Sequence, residues 1–175
     1  MTSSDLSSDT FVTSALAANV RGPLLVVATV VAGLQAGTYF TWATGVMPGL
    51  ARVDDRTFVH AVQQMNIAIV NPLFLATFVG APVLAGAAAA LGGSHARGWA
   101  IAATALAIGT VVITAAGNVP LNDALQAAGA VDRIADLAEV RADFESRWVA
   151  LNIARCLTSA GALACLAVAA TRVRG

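Results

Sequence analysis

Four long apolar segments dominate this sequence and restrict it to folds that lie in a membrane. They cover about residues 23–47, 62–91, 99–117 and 148–170. Each has roughly the 20 residues that an α-helix needs to cross a hydrocarbon core about 30 Å thick. Because lipid offers no hydrogen bonds to the backbone, the segments must bond internally, and we expect four transmembrane helices.

The composition agrees with a membrane protein and excludes several other classes. The chain is 58% hydrophobic and 11% charged, whereas soluble domains contain about 25% charged residues. Ten basic residues balance ten acidic ones, so the chain lacks the basic patch of a nucleic-acid-binding protein. The lipid bilayer is the expected partner, no nucleic acid is expected, and the oligomeric state stays open.

The chain divides into a tail and one membrane domain. Residues 1–22 are polar and rich in serine and threonine; without the basic start of a signal peptide, they are expected to form a flexible cytoplasmic tail. Residues 23–175 should form one four-helix transmembrane domain. Pro23 suits the start of the first helix, and Pro72 and Pro82 predict a kink within the second.

The connections indicate how the segments are arranged. Only residues 92–97 join the second and third segments, so these two must be antiparallel neighbours. The longest connection, residues 118–147, has apolar residues at 131, 134, 137, 140 and 144, which is the spacing of one helical face. We expect an amphipathic helix there that lies on the membrane surface, caps the bundle or runs straight into the fourth span. The predicted fold class is an all-α integral membrane four-helix up-down bundle with an amphipathic helix in the third loop.

An even number of spans places both termini and the second loop at one membrane face, here called the terminus face. The first and third loops lie at the opposite face, here called the loop face. Basic residues in short loops favour the cytoplasm, and the second loop carries Arg97 without an acidic residue. We expect a multi-pass protein of a bacterial plasma membrane with cytoplasmic termini.

Polar side chains within the spans concentrate toward the loop face. Such side chains are costly in lipid and normally face the bundle interior. We therefore expect a pocket that opens toward the first and third loops and has an apolar floor. The set consists of Gln35, Tyr39 and Trp42 from the first span, His60, Gln63, Gln64, Asn66 and Asn71 from the second, Asn118 and Asn122 from the third, and Trp148, Asn152, Arg155 and Ser159 from the fourth.

Of these side chains, Arg155 is the most costly to place inside a membrane. It lies about two turns inside the fourth span, where insertion of a charge costs about 2.5–3.5 kcal/mol. It should therefore meet hydrogen-bond acceptors. The expected acceptors are the side-chain carbonyls of Asn66, Asn118, Asn122 and Gln64, and Asp123 at the rim.

Plainer interpretations exist for the same residues. The positions of Trp42 and Trp148 fit anchors at the membrane interface as well as the walls of a ligand-binding pocket. His60 fits a hydrated headgroup position as well as a general base near pH 7. The asparagines and glutamines also fit interhelical hydrogen bonding without a ligand. No group of residues has metal-ligand spacing, and no glycine-rich phosphate loop occurs, so neither a metal nor a cofactor is expected.

Several short motifs occur together in an order that resembles a known family. The family comprises small four-helix membrane proteins of mostly unknown function and includes the anthrone oxygenases. The resemblance covers nearly the whole chain past residue 23. The motifs are Gly37, Trp42 and Met47-Pro48-Gly49-Leu50, then Gln64-Met65-Asn66, then Asn118-Val119-Pro120-Leu121-Asn122, and finally Phe144-Glu145-Ser146-Arg147-Trp148 with Asn152 and Arg155.

The resemblance implies oxidation of an anthrone to an anthraquinone by molecular oxygen, without a metal or flavin. A base would remove the benzylic proton, and amide and guanidinium donors would stabilise the enolate oxygen. On this basis Arg155, Asn118 and Asn122 would be catalytic donors and His60 the base. The residues expected to contact a small aromatic substrate are Trp42, Trp148, Tyr39, Gln64, Asn66 and Asn152.

Three hypotheses about function follow. The first is a cofactor-independent oxygenase of a polycyclic phenol. The second is a module that binds or transports a small amphipathic molecule. The third is a structural or accessory membrane subunit whose polar groups only hold the helices together, since membership of a fold family does not determine function.

Overall fold

The computed structural model describes the backbone of residues 3–172 and the side chains of residues 19–172. The described residues form five helices and no strand. Helix α1 comprises Ser3–Thr41, a π-helical segment Trp42–Val46 and a last turn Met47–Leu50. The others are α2 Asp55–Ile69, α3 Pro72–Leu91, α4 Ser94–Ala127 with a π-helical segment Thr114–Asn118, and α5 Leu137–Thr171.

Four of these helices are long and apolar enough to cross a membrane: α1 from residue 19 onward, α3, α4 and α5. This confirms the predicted integral membrane four-helix bundle. Helices α1 and α4 each pack against both α3 and α5, so the four helices form a ring. With 35 residues, α5 is about 52 Å long, which exceeds a hydrocarbon core of about 30 Å. Helix α5 is therefore longer than a hydrocarbon core is thick, and its charged residues from Glu139 to Arg147 lie at its loop-face end.

The second predicted span is not one kinked helix, and that expectation is wrong. The chain breaks at Val70 and Asn71, which separate α2 from α3. The Asn71 side chain caps α3 by accepting a hydrogen bond from the backbone N–H of Phe74 at 3.0 Å. Pro72 stands at the first position of α3, where its missing N–H costs nothing and its ring keeps the preceding residue out of the helical region. Pro82 stays within α3.

The first helix begins earlier than expected. It starts at Ser3, and Pro23 lies inside it rather than at its start. A proline removes only one backbone hydrogen bond, and residues on both sides of Pro23 continue the helix. Residues 1 and 2 and the side chains up to residue 18 lie outside the described part of the chain, so the flexible polar tail stays a prediction.

The third loop is shorter than the sequence indicates. Helix α4 continues to Ala127, and α5 already begins at Leu137. The Asp136 side chain caps α5 by accepting a hydrogen bond from the backbone N–H of Glu139 at 2.9 Å. The amphipathic residues 137–144 are thus the first turns of α5, which is the expected alternative of a helix that runs straight into the fourth span. Between the two helices, Val131–Arg133 form a 3₁₀ turn.

Two separate apolar clusters hold the helices together. The first, here called the membrane core cluster, lies toward the terminus face and consists mainly of alanine, whose small side chain lets helices approach closely. The second, here called the cap cluster, joins α2 to the ends of α1, α4 and α5 at the loop face. Buried polar side chains occupy the level between them. The membrane core cluster is Leu25, Ala28, Ala32, Ala85, Ala88, Ala96, Ala100, Ala103, Leu166 and Ala169; the cap cluster is Met47, Phe58, Val59, Val62, Leu125, Phe144 and Trp148.

Candidate functional site

A cavity of about 260 Å³ lies at this polar level, below the cap cluster. We call it the Arg155 cavity. All five helices or their junctions contribute to its wall. Its lining residues are Thr38, Tyr39, Trp42, Asn66, Ile67, Ile69, Val70, Phe74, Thr114, Val119, Asn122, Asp123, Gln126, Trp148 and Arg155.

Two π-helical segments border this cavity. One begins at Trp42 in α1, and the other ends at Asn118 in α4. A π-turn holds an extra residue, and such turns are frequent at functional sites. In a regular α-helix, residues spaced by four drift about 40° around the axis at each step. The wider π-turn reduces this drift, which helps to keep Thr114, Asn122 and Gln126 on the cavity side.

Arg155 is the central charged residue of the site. Its side chain is 6% exposed, although it also lines the cavity. Its Nη2 donates a hydrogen bond to Oδ1 of Asn152 at 2.9 Å, whereas its Nε has no partner in the protein. The ion pairs among the described residues do not include it. An unpaired buried cation of this kind is costly and is complementary to an anionic ligand.

The expected acceptors of Arg155 are therefore wrong, because its side chain bonds to none of the five that we named. A helical side chain leans toward the N-terminus of its own helix. Arg155 follows this direction and reaches Asn152, three residues earlier on α5.

Aromatic rings surround the guanidinium group. Its Cζ lies 4.6 Å from the centroid of the Tyr39 ring and 5.1 Å from that of the Trp148 ring. Both distances fall within the range of cation–π attraction. The rings offset part of the cost of burying the charge, but they do not neutralise it.

Trp42 and Trp148 form one wall of the cavity, as expected. Their ring centroids are 5.0 Å apart with a tilt of 52° between the planes. The indole Nε1 of Trp148 donates a hydrogen bond to Oδ1 of Asn122 at 2.9 Å. Phe144 stacks against Trp148 at a centroid distance of 6.0 Å. These contacts fix the orientation of the Trp148 ring.

Asn118 and Asn152 lie behind the cavity wall rather than on it. Both are almost completely buried. The Nδ2 of Asn152 donates a hydrogen bond to the carbonyl oxygen of Tyr39 at 3.2 Å, and the Nδ2 of Asn118 donates a longer one to that of Trp148 at 3.4 Å. Their amide donors thus connect helices and support the residues that face the cavity.

Asn66 on α2 lines the cavity, as expected. Its Nδ2 is buried and has no partner in the protein, and the same is true of Oδ1 of Asn118. Buried polar atoms normally have partners. With Nε of Arg155, three such atoms therefore lie at or directly behind the wall of one cavity.

His60 and Gln64 lie outside the cavity, although the sequence pattern predicts them to be part of it. Both are exposed, and neither lines it. The neighbouring Gln63 is buried instead, and its Nε2 donates hydrogen bonds to the carbonyl oxygens of Leu125 and Gly129, each at 2.9 Å. Because α2 is a separate helix, it turns its apolar face toward the cap cluster, which rotates His60 and Gln64 outward.

The floor of the site contains a hydrogen-bonded chain between α1 and α3. The Nε2 of Gln35 donates to the hydroxyl oxygen of Tyr39 at 2.6 Å. The hydroxyl of Thr77 donates to Oε1 of Gln35 at 2.9 Å. Tyr39 is 2% exposed, so this chain fixes the ring on which the guanidinium group rests.

Several residues that line the cavity are not predicted by the sequence pattern. Thr114 lies four residues before Asn118, and Gln126 lies four residues after Asn122. A predicted third helix that continued past residue 117 would have placed them on the same face as the two asparagines. The sequence predicts Asp123 only as an acceptor for Arg155, yet it is the one acidic side chain among the described residues that line the cavity. Ile67, Val70 and Phe74 form an apolar side that the polar pattern could not indicate.

Comparison with known proteins adds one finding. A family model described as Anthrone oxygenase matches residues 64–165. The matched part is more than half of the 175 residues and includes Asn66, Asn122, Trp148 and Arg155. No curated protein and no solved structure matches the chain.

Proposed function

The chain belongs to the anthrone oxygenase family, and from this membership we propose that it oxygenates a flat phenolic substrate of the anthrone type. The observation that carries the proposal is the unpaired guanidinium of Arg155, buried between two aromatic rings and facing a cavity. An anthrone that has lost a proton is a flat aromatic anion, so it complements both the charge and the walls of this cavity.

The reaction balances with molecular oxygen alone. Loss of a proton from the benzylic CH₂ gives an enolate, and this anion transfers one electron to oxygen. The resulting radical pair forms a carbon–oxygen bond, which gives a peroxide on the former CH₂ carbon. Loss of the second proton from that carbon breaks the oxygen–oxygen bond. One oxygen atom stays as the new ketone, and the other leaves as water.

Arg155 would stabilise the enolate oxygen. Donors aimed at the oxygen where charge develops are usually a large part of catalysis, and the free Nε is a donor not occupied within the protein. Asn152 and Tyr39 hold the guanidinium group in place before substrate binds. Asn66 and Asn122 lie on the same wall and would bind further phenolic oxygens.

We assign proton removal to Asp123 rather than to His60. Of the residues that the structure describes, Asp123 is the only carboxylate that lines the cavity, and it is exposed. A carboxylate there can accept the benzylic proton and release it to water. His60 lies outside the cavity, and a base must come within hydrogen-bond reach of the proton that it removes.

The apolar side of the cavity provides access from the lipid. Val70, at the break between α2 and α3, is 66% exposed, and it lines the cavity together with Ile67 and Phe74. A polycyclic phenol dissolved in the bilayer could enter here without crossing water.

The cavity volume of about 260 Å³ is near the lower end of the ~300–1,000 Å³ found for ligand pockets. This size favours a compact set of fused rings over a long chain.

The test uses purified full-length protein in detergent with emodin anthrone as the substrate. Oxygen consumption and anthraquinone absorbance should rise together, and Arg155→Gln should lower kcat about a hundredfold, as the loss of an oxyanion donor does. Arg147→Gln, which removes an exposed arginine of the same helix outside the cavity, should retain activity. A rate no higher than that of heat-inactivated protein would exclude the proposal.

A further inference from the structure

A second cavity lies at the terminus face, at the opposite end of the bundle from the Arg155 cavity. Its volume is about 230 Å³. We call it the Arg21 cavity. Helix α1, the loop between α3 and α4, and the end of α5 form its wall. The lining residues are Arg21, Leu24, Leu25, Ala88, Leu91, Gly92, Gly93, Ser94, His95, Ala96 and Arg172.

Among the described residues, the ionisable side chains that line this cavity are all basic. They are Arg21, His95 and Arg172. All acidic side chains between residues 19 and 172 belong to the first loop, the third loop or the helix ends next to them. These are Asp54, Asp55, Asp123, Asp132, Asp136, Glu139, Asp143 and Glu145. Across these residues, therefore, the terminus face carries basic side chains without a compensating carboxylate.

Arg21 is held in position by the backbone. Its Nε donates a hydrogen bond to the carbonyl oxygen of Leu91, the last residue of α3. Its Nη1 then lies 3.8 Å from the point that a Cβ would occupy at Gly93. The guanidinium group is thus fixed beside the start of α4, and among the described residues its other N–H groups have no hydrogen-bond acceptor.

The start of α4 adds to the positive potential. Gly93 occupies the capping position and provides no side chain to bond the first amides of the helix. The N-terminus of a long helix attracts anions through these amides and through the helix dipole. Below the charged rim, Leu24, Leu25 and Ala88 give the cavity an apolar floor.

We propose that the Arg21 cavity binds the phosphate of an anionic membrane phospholipid. Arginine pairs with phosphate through two parallel hydrogen bonds, and basic pockets between transmembrane helices are typical binding places for anionic headgroups. The apolar floor accepts the glycerol and the first acyl carbons. The half-exposed Trp99, in the second turn of α4, fits an interfacial depth. This proposal is independent of any oxygenase activity.

The experiment measures lipid retention by native mass spectrometry of the full chain. The protein is exchanged into equal amounts of phosphatidylglycerol and phosphatidylcholine, and the ratio of the two lipids that stay bound is measured. We expect the anionic lipid to be preferred, and Arg21→Gln and Arg172→Gln should each reduce the preference about fivefold. Arg97→Gln removes the same charge from the same face outside the cavity and should leave the ratio unchanged.

Two further arms complete the test. Melting temperatures show whether Arg21→Gln disturbs folding by losing its bond to Leu91; Arg172→Gln tests the site without that loss. Addition of inorganic phosphate to protein in phosphatidylcholine alone distinguishes the sources of the phosphate. Stabilisation that depends on Arg172 would identify free phosphate as the occupant of the same site. Equal losses in all three variants, or no preference in the parent chain, would overturn the proposal.

Discussion

The guanidinium of Arg155 and the amide of Asn152 form a buried hydrogen bond, from Nη2 to Oδ1 at 2.9 Å. Through its Nδ2, the same asparagine bonds to the carbonyl oxygen of Tyr39 on α1. Asn152 thus links the guanidinium group on α5 to the backbone of Tyr39, the residue whose ring lies beside that group. The bond leaves Nε of Arg155, a residue that lines the cavity, without a partner in the protein.

Asn152→Ala should show whether Asn152 positions the guanidinium group of Arg155 rather than binding the substrate. Without its acceptor, the guanidinium group gains freedom, and small displacements of a catalytic group are costly. We expect kcat with emodin anthrone to fall about tenfold or more, with a smaller change in KM. Ser159→Ala is the matched control, because Ser159 is also buried on α5 but bonds only to carbonyl oxygens of its own helix. Equal kcat losses in both variants would contradict the positioning role.

Trp148→Phe should weaken the binding of a flat substrate. Phenylalanine retains a ring for stacking but loses the N–H that bonds to Oδ1 of Asn122 at 2.9 Å. The ring orientation is then less fixed, and KM should rise several-fold while oxygen consumption at saturating substrate changes less. Trp99→Phe is the control, since Trp99 lies outside the Arg155 cavity. An unchanged KM in Trp148→Phe would show that the Asn122 bond does not define the wall.

Much of the fold and part of the site follow from the sequence alone. Hydropathy predicts the four spans, because satisfying the backbone in lipid leaves few alternatives to helices. The up-down order then brings Trp42, Asn122, Trp148 and Arg155 to one level, and these four residues do line one cavity. Such convergence depends only on helix length and direction, which the sequence pattern specifies well.

The positions of the other predicted site residues depend on local breaks in the helices, which change the direction in which the side chains point. The sequence pattern predicts that His60, Gln63 and Gln64 belong to one helix with Asn71, but the chain breaks before Pro72 and α2 ends there. Each helix then turns its own apolar face inward, so Gln63 becomes buried and its neighbours become exposed. The two π-helical segments share a sequence feature: each contains a glycine three residues before a proline, Gly45 before Pro48 and Gly117 before Pro120. A proline removes one backbone hydrogen bond from a helix, but this pattern alone does not distinguish a π-turn from a kink.

Gln63→Ala should lower the stability of the cap at the loop face. The variant leaves the carbonyl oxygens of Leu125 and Gly129 without their side-chain donor, and a buried polar group without its partner costs about 1–3 kcal/mol. Thermal unfolding in detergent should show a lower Tm. Gln64→Ala changes an exposed neighbour on α2 and should have little effect. If Gln64→Ala proved the more destabilising variant, the observed orientation of α2 would be incorrect.

Acidification should weaken the first turn of α2 through Asp54. The side-chain hydroxyl and backbone N–H of Thr57 both donate to this carboxylate, which lowers the pKa of Asp54 below its ordinary value. Because the folded pKa is lowered, the capping contribution is complete above the ordinary pKa and is lost as the pH falls through the folded pKa. The Tm difference between the parent chain and Asp54→Ala should therefore be constant near neutral pH and shrink below about pH 4. Asp143→Ala removes an exposed carboxylate of α5 and provides the control for net charge. A Tm difference that persists unchanged in acid would show that the charged form of Asp54 does not stabilise α2.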